Sequence, residues 1–174
     1  MRHRHAAHAL PRVSRLSWLM GLYGENFDRV ERLLDSRRLG PGSYRSIGHD
    51  GLPLDVDVLA VHAYMSELRL SYAIIDPVSG RPDPSMYVRI YRDARLAEAT
   101  HCYVGRQWQD VLGLRPSPKV LFGHRLRMNS FLNKWLDYLD VQGHAPHSLL
   151  PRVVDVTEPG SAGEGGAVPA DPGA

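Results

Sequence analysis

Two stretches of helical periodicity bracket a run in which apolar residues alternate with polar ones, and this change of period constrains the chain more than any other feature. Leu16, Leu19, Met20, Tyr23, Phe27, Val30, Leu33 and Leu34 recur every three or four residues, forming one apolar stripe along an amphipathic helix. Ser14 suits its N-cap, Gly21 and Gly24 weaken its middle, and Gly40-Pro41 lies beyond its end. Met128, Phe131, Leu132, Trp135, Leu136 and Leu139 make a second stripe, closed by Gly143. Between the stripes the period is two. The spacing predicts a short strand over 44–47, then Leu54, Val56 and Val58 alternating with Asp55 and Asp57. A third strand begins at Leu68, Leu70 and Tyr72, and a fourth alternates Met86, Val88 and Ile90 with Tyr87, Arg89 and Tyr91. A fifth covers 95–103, and residues 104–119 read either as a helical turn or as a sixth strand.

The connections are short. His49-Asp50-Gly51, Tyr64–Ser66 and Asp93-Ala94 carry turn chemistry, whereas residues 77–84, with Gly80 and three prolines, form a loop. Short links require antiparallel neighbours, because parallel strands need long crossovers. The predicted fold class is therefore α+β: an antiparallel sheet of about five strands, with an N-terminal and a C-terminal amphipathic helix packed on one face.

A chain of 174 residues is one domain with tails. Residues 1–11 are expected to be a disordered basic tail and 12–150 the single folded domain. Residues 151–174 are expected to be a disordered acidic tail, too rich in proline, glycine and alanine to bury itself. Basic residues number 21, 19 of them Arg, against 19 acids; a net charge of +2 forces no nucleic-acid reading. Cys102 stands alone, so no intrachain disulfide forms, and it reads as a small buried hydrophobe. The basic start followed by apolar Leu16–Gly24 mimics a signal peptide. However, no small-residue cleavage site follows, and the helical pattern continues past Glu25. The other apolar runs fall far short of the about 20 residues a membrane span needs. A cytoplasmic protein without a membrane partner is expected.

The fourth and fifth strands carry the sharpest site. With Asp93-Ala94 as a two-residue turn, Tyr91 opposes Leu96, Ile90 opposes Ala97, Arg89 opposes Glu98 and Val88 opposes Ala99. One face then collects Met86, Val88, Ile90, Ala97 and Ala99 as core. The other collects Tyr87, Arg89, Tyr91, Leu96, Glu98 and Thr100, with Arg89 and Glu98 as a cross-strand ion pair. An Arg held by a carboxylate between tyrosines suits a phosphate or carboxylate, although a plain solvated face explains the same residues.

Arg115, Lys119, His124, Arg125 and Arg127 form a basic cluster before and into the last helix, suited to phosphate or nucleic acid or simply to water. Asp55 and Asp57 share a strand face, His62 and His101 lie on strands that need not be neighbours, and His144 and His147 are three apart. None of these groups has a full set of metal ligands, so no metal and no cofactor is expected. Asn129, near the last helix's start, suits a helix-to-sheet hydrogen bond. No phosphate loop, dinucleotide fingerprint, serine elbow or zinc-protease helix is present.

The run Pro84–Ala94, continuing through Ala97-Glu98, together with Asn129–Tyr138, resembles the YqiB-like family of uncharacterised proteobacterial cytosolic proteins, over about residues 14–143. The resemblance implies a small cytosolic protein without an established activity. It also implies family positions at Arg89, Tyr91, Asp93 and Glu98. The family carries Asp-Glu-Lys where this chain has Gly123-His124-Arg125, so no role resting on those acids carries over.

The expected function is a non-catalytic binding or regulatory module. Its 86–103 hairpin would present Tyr87, Arg89, Tyr91, Asp93 and Glu98 to an anionic small molecule or a protein partner. Two alternatives stand beside it. One is an enzyme on a phosphorylated or nucleotide substrate, with Asp93 or Glu98 as acid or base and Arg89 as anion clamp. The other is weak nucleic-acid binding through Arg115, Lys119, Arg125 and Arg127.

Overall fold

Ser14 caps the first helix: its hydroxyl accepts from the Ser17 N–H at 3.0 Å, and α1 runs from Arg15 to Leu34 without interruption at Gly21 or Gly24. Asp35 ends it in the left-handed region at φ 47, its N–H bonded to the Glu31 carbonyl. The computed structural model describes residues 14–72, 74–75, 77, 80, 84–101 and 116–152. Within them follow β1 (Gly42–Ile47), β2 (Pro53–Val61), β3 (Met65–Tyr72), β4 (Ser85–Tyr91) and β5 (Leu96–His101). Then come α2 (Pro118–Val141), a 3-10 turn (Pro146–Ser148) and β6 (Leu150–Pro151).

The sheet order is β5-β4-β3-β2-β1-β6, and every neighbouring pair is antiparallel. Five strands form a meander; the β1–β2, β2–β3 and β4–β5 links are too short for a parallel crossover. The sixth is the two-residue β6, which returns along the free edge of β1 and pairs Pro151 with Tyr44. The Arg152 N–H donates to the Ser43 carbonyl at 2.7 Å, so the chain beyond residue 150 continues on the sheet for two residues. The expected strand count of about five is thus one short. β6 is too brief to show a period and contains a proline, which suits an edge strand.

Leu54, Val56, Val58, Leu68, Leu70, Met86, Val88, Ile90, Ala97 and Ala99 fill one sheet face. Phe27, Val30, Leu33 and Leu34 of α1 and Met128, Leu132, Trp135, Leu136 and Leu139 of α2 pack against them. A satellite cluster of Leu19, Leu22, Tyr23 and Leu126 joins the first halves of the two helices. The opposite face carries Arg45, Asp55, Asp57, Glu67, Arg69, Arg89 and Glu98, since successive strand residues point to opposite sides.

Three local readings are corrected. β3 begins at Met65, and the turn lies one step earlier, closed by His62 N–H to the Met65 carbonyl at 2.7 Å. The β1–β2 loop spans Gly48–Leu52, wider than a two-residue hairpin, with Asp50 Oδ1 accepting from the Leu52 N–H. The β4–β5 turn uses Arg92–Arg95, two residues more than expected. The extra residues fall symmetrically, so parity survives and every expected pair from Tyr91–Leu96 to Val88–Ala99 is kept. Cys102, residues 104–115 and both expected tails apart from Pro151 and Arg152 lie outside the described residues.

Two glycines differ sharply in what they allow. Gly143 sits at φ +81, and an added Cβ would meet the His49 ring at 2.5 Å; Gly21 lies mid-helix with nothing within 4 Å. We expect Gly143→Ala to destabilise by about 1–3 kcal/mol and Gly21→Ala to stabilise by about 0.5–1 kcal/mol. Denaturant unfolding of the two variants checks both signs.

Candidate functional site

One asparagine fixes the geometry of a recess between β5 and α2. Asn129 is completely buried, and its Oδ1 accepts the Ala99 N–H of β5, the outermost strand on that side among the described residues, at 2.8 Å. Its Nδ2 donates at 2.9 Å to the carbonyl of Arg125, one helical turn earlier. Asn26, also fully buried on α1, donates to the Asn129 side-chain and backbone oxygens at 3.4 Å and accepts from Asn133 at 3.1 Å. The expected helix-to-sheet hydrogen bond is therefore present, and it ties the residue after Glu98 to the residue bearing the Arg125 side chain.

The result is a row of alternating charge. Glu67 on β3 opposes Arg89 on β4, and Arg89 opposes Glu98 on β5; Arg125 on α2 then faces Glu98 at 3.6 Å. The expected Arg89–Glu98 ion pair is not among the ion pairs of the described residues. Arg89 has register partners on both sides, and its Nε bonds Glu67. Glu98 instead accepts the Tyr91 hydroxyl at 3.0 Å and meets Arg125. The Glu67 contact raises the Arg89 pKa, so Arg89 is always a cation. Burial, then the Glu98 charge, raises the pKa of Tyr23, whose hydroxyl lies on the buried side of the same group.

Arg89, Glu98, Thr100, Leu121, Arg125 and Met128 line a cleft of about 380 Å³ along the β5 edge, with Ala99 and His124 completing it. That volume is in the range of small-ligand pockets. His124 is buried, and burial followed by the Arg127 charge lowers its pKa from 6.5, so it is neutral near pH 7.

The structure thus joins part of the expected hairpin site to part of the expected basic cluster. Tyr87 is absent from this cleft: a bulge places it opposite His101 rather than Thr100, and the two rings stack with centroids 4.0 Å apart. Asp93 lies in the exposed turn and lines a separate, open recess with Arg37, Tyr64 and Arg92. Asp93 and Glu98 are therefore not brought together as an acid and base. Lys119 and Arg127 are on α2 but do not line the cleft, and Arg115 is outside the described residues. His62 and His101 do not meet, because His62 lies in the turn after β2, and β3 and β4 stand between β2 and β5. Asp55 holds Arg45 at 2.6 Å and Arg152 at 3.0 Å, while Asp57 holds Arg69 at 2.7 Å.

A second polar group was not legible in the sequence. Ser46 Oγ lies 2.7 Å from His144 Nδ1 and from Ser148 Oγ. The other ring nitrogen of His144 is 3.3 Å from the Tyr72 hydroxyl, which donates, as does Tyr138, to Asp50 Oδ2. A Ser–His contact suggests a nucleophile and base, but Ser46 and His144 are 1 % and 2 % exposed, which leaves a substrate no access. The chain fastens the residues after α2 to β1 and to the β1–β2 loop. The components are about a hundred residues apart, so no local spacing announces them.

A family described as a protein of unknown function (DUF1249) matches residues 29–145, a span that includes Arg89, Glu98, Arg125 and Asn129. No curated protein and no solved structure matches.

Removing the Asn129 side-chain amide leaves the buried Ala99 N–H without its acceptor. Asn129→Ala is expected to cost about 1–3 kcal/mol in unfolding free energy, and to broaden or shift the Glu98–Thr100 amide resonances. A pH effect follows from two buried imidazoles, His124 and His144, and the half-buried His101. Burial is the first cause lowering the pKa of His101, His124 and His144 from 6.5. The unfolded chain then protonates first on acidification, so their contribution to stability is complete above about pH 6.5 and is lost as pH falls below it. Melting temperatures should decline from pH 7.5 to 5. His144→Asn should be less stable at pH 7.5 yet decline less steeply.

Proposed function

This chain belongs to the DUF1249 family of proteins of unknown function, and on that premise we propose that it is a non-catalytic binding module whose ligand cleft lies between β5 and the first half of α2. One observation carries the reading: Arg89 from the sheet and Arg125 from the helix line one recess, with Glu98 between them in the charge row. Guanidinium groups present flat forks of donors that match a carboxylate or phosphate. Leu121 and Met128 add an apolar wall, which raises the strength of polar contacts made beside it. The narrower YqiB-like identity, with its bacterial and cytosolic setting, belongs to the same proposal and is supported by the run 84–94, continuing through Ala97-Glu98, and the run 129–138.

The test is titration with inorganic phosphate and with 4-methylpentanoate at low salt, followed by amide chemical shifts. Shifts should concentrate at residues 98–100 and 121–128. Arg89→Ala and Arg125→Ala should each weaken the carboxylate at least fivefold. Their folding stabilities should stay within about 1 kcal/mol, because both ion pairs are partly exposed. Unchanged affinity in both variants, or no binding of either anion at millimolar concentration, overturns the reading.

A further inference from the structure

The cleft has a charge balance that a simple anion does not satisfy. Glu67, Arg89, Glu98 and Arg125 follow one another across β3, β4, β5 and α2. Two carboxylates and two guanidiniums sum to zero, and each guanidinium already faces a carboxylate. A ligand anion that takes Arg125 removes the cation facing Glu98. Glu98 is 16 % exposed and would keep the Tyr91 hydroxyl, but would lose its ion-pair partner, since the neighbouring Arg89 is paired with Glu67. Stranding a mostly buried carboxylate is unfavourable. The 3.6 Å Arg125–Glu98 separation also exceeds an ordinary charged hydrogen bond, so the contact is easily exchanged.

Resting on the binding reading above, we propose that the cleft takes a small zwitterion of the α-amino-acid type, its carboxylate on Arg125 and Arg89, its ammonium on Glu98, and its apolar side chain against Leu121 and Met128. Such a ligand replaces the Arg125–Glu98 contact by two new ion pairs. The net charge of the site stays at zero, and no carboxylate is left alone. A cleft of about 380 Å³ leaves room for a side chain beyond the two charged groups.

The experiment compares three isosteric probes on the full chain by amide-shift titration: L-leucine, 4-methylpentanoate without the ammonium, and isoamylamine without the carboxylate. Leucine is expected to bind at least tenfold more tightly than either single-charge probe. Glu98→Gln should erase the preference of leucine over 4-methylpentanoate, weakening leucine and tightening 4-methylpentanoate, because no carboxylate is then stranded when the anion takes Arg125. A melting curve confirms that this variant folds; if it does not, the ranking of the three probes on the unaltered chain decides alone. Leucine no tighter than 4-methylpentanoate overturns the zwitterion proposal and leaves the anion reading standing. Isoamylamine as tight as leucine overturns the zwitterion proposal, as does a leucine preference that survives in Glu98→Gln. Failure of leucine, 4-methylpentanoate and phosphate together overturns both.

Discussion

The hydrogen bond from the Ala99 N–H to Asn129 Oδ1 is the contact on which the cleft end of this fold depends. An edge strand exposes donors and acceptors that must find partners. Here one of those donors is satisfied by a side chain from α2 instead of by another strand. The same amide group holds the Arg125 carbonyl, and Asn26 of α1 closes the cluster from the other helix. A fully buried amide is costly unless its groups are matched. Matching them leaves α2 little freedom to slide along β5. Register at this point decides whether Arg125 meets Glu98.

From that constraint the charge row follows. The antiparallel register sets Glu67, Arg89 and Glu98 side by side on three strands, and α2 adds Arg125 at the end. No member of the row is isolated, so the face tolerates four charges at close quarters. The other rows of the same face use the same device: Asp55 serves Arg45 and Arg152, and Asp57 serves Arg69 and Ser43. What distinguishes the Glu98 row is its position beside a recess with an apolar wall. The Asp55 row instead ends at β6, where Arg152 joins it.

Much of the fold was legible because it rests on local periodicity. The α1 stripe, the Ser14 cap and the Met86–Ile90 and Ala97–Ala99 core faces all follow from spacing within a few residues. The hairpin pairing survived an incorrect turn length because its error was an even number of residues. The bulge at Thr100 did not follow from alternation, since one extra residue moves His101 onto Tyr87 without changing the pattern before it. β6 and the Ser46–His144–Tyr72 chain had no local signal either, because their partners lie far apart in sequence.

The sequence by itself determined two helices, an antiparallel meander, the core and polar faces of the strands up to their bulges, and Arg89 opposite Glu98. Side-chain period and short connections are local properties, and they suffice for all of these. Only the tertiary structure decided which charges meet. Arg89 turned to Glu67, Glu98 to Tyr91 and Arg125, and Asp93 was left in the turn. The reason is physical. A strand residue in mid-sheet has a neighbour on each side, and a helix crossing the sheet edge adds a third. Which of them bonds is set by packing distances that no one-dimensional spacing contains.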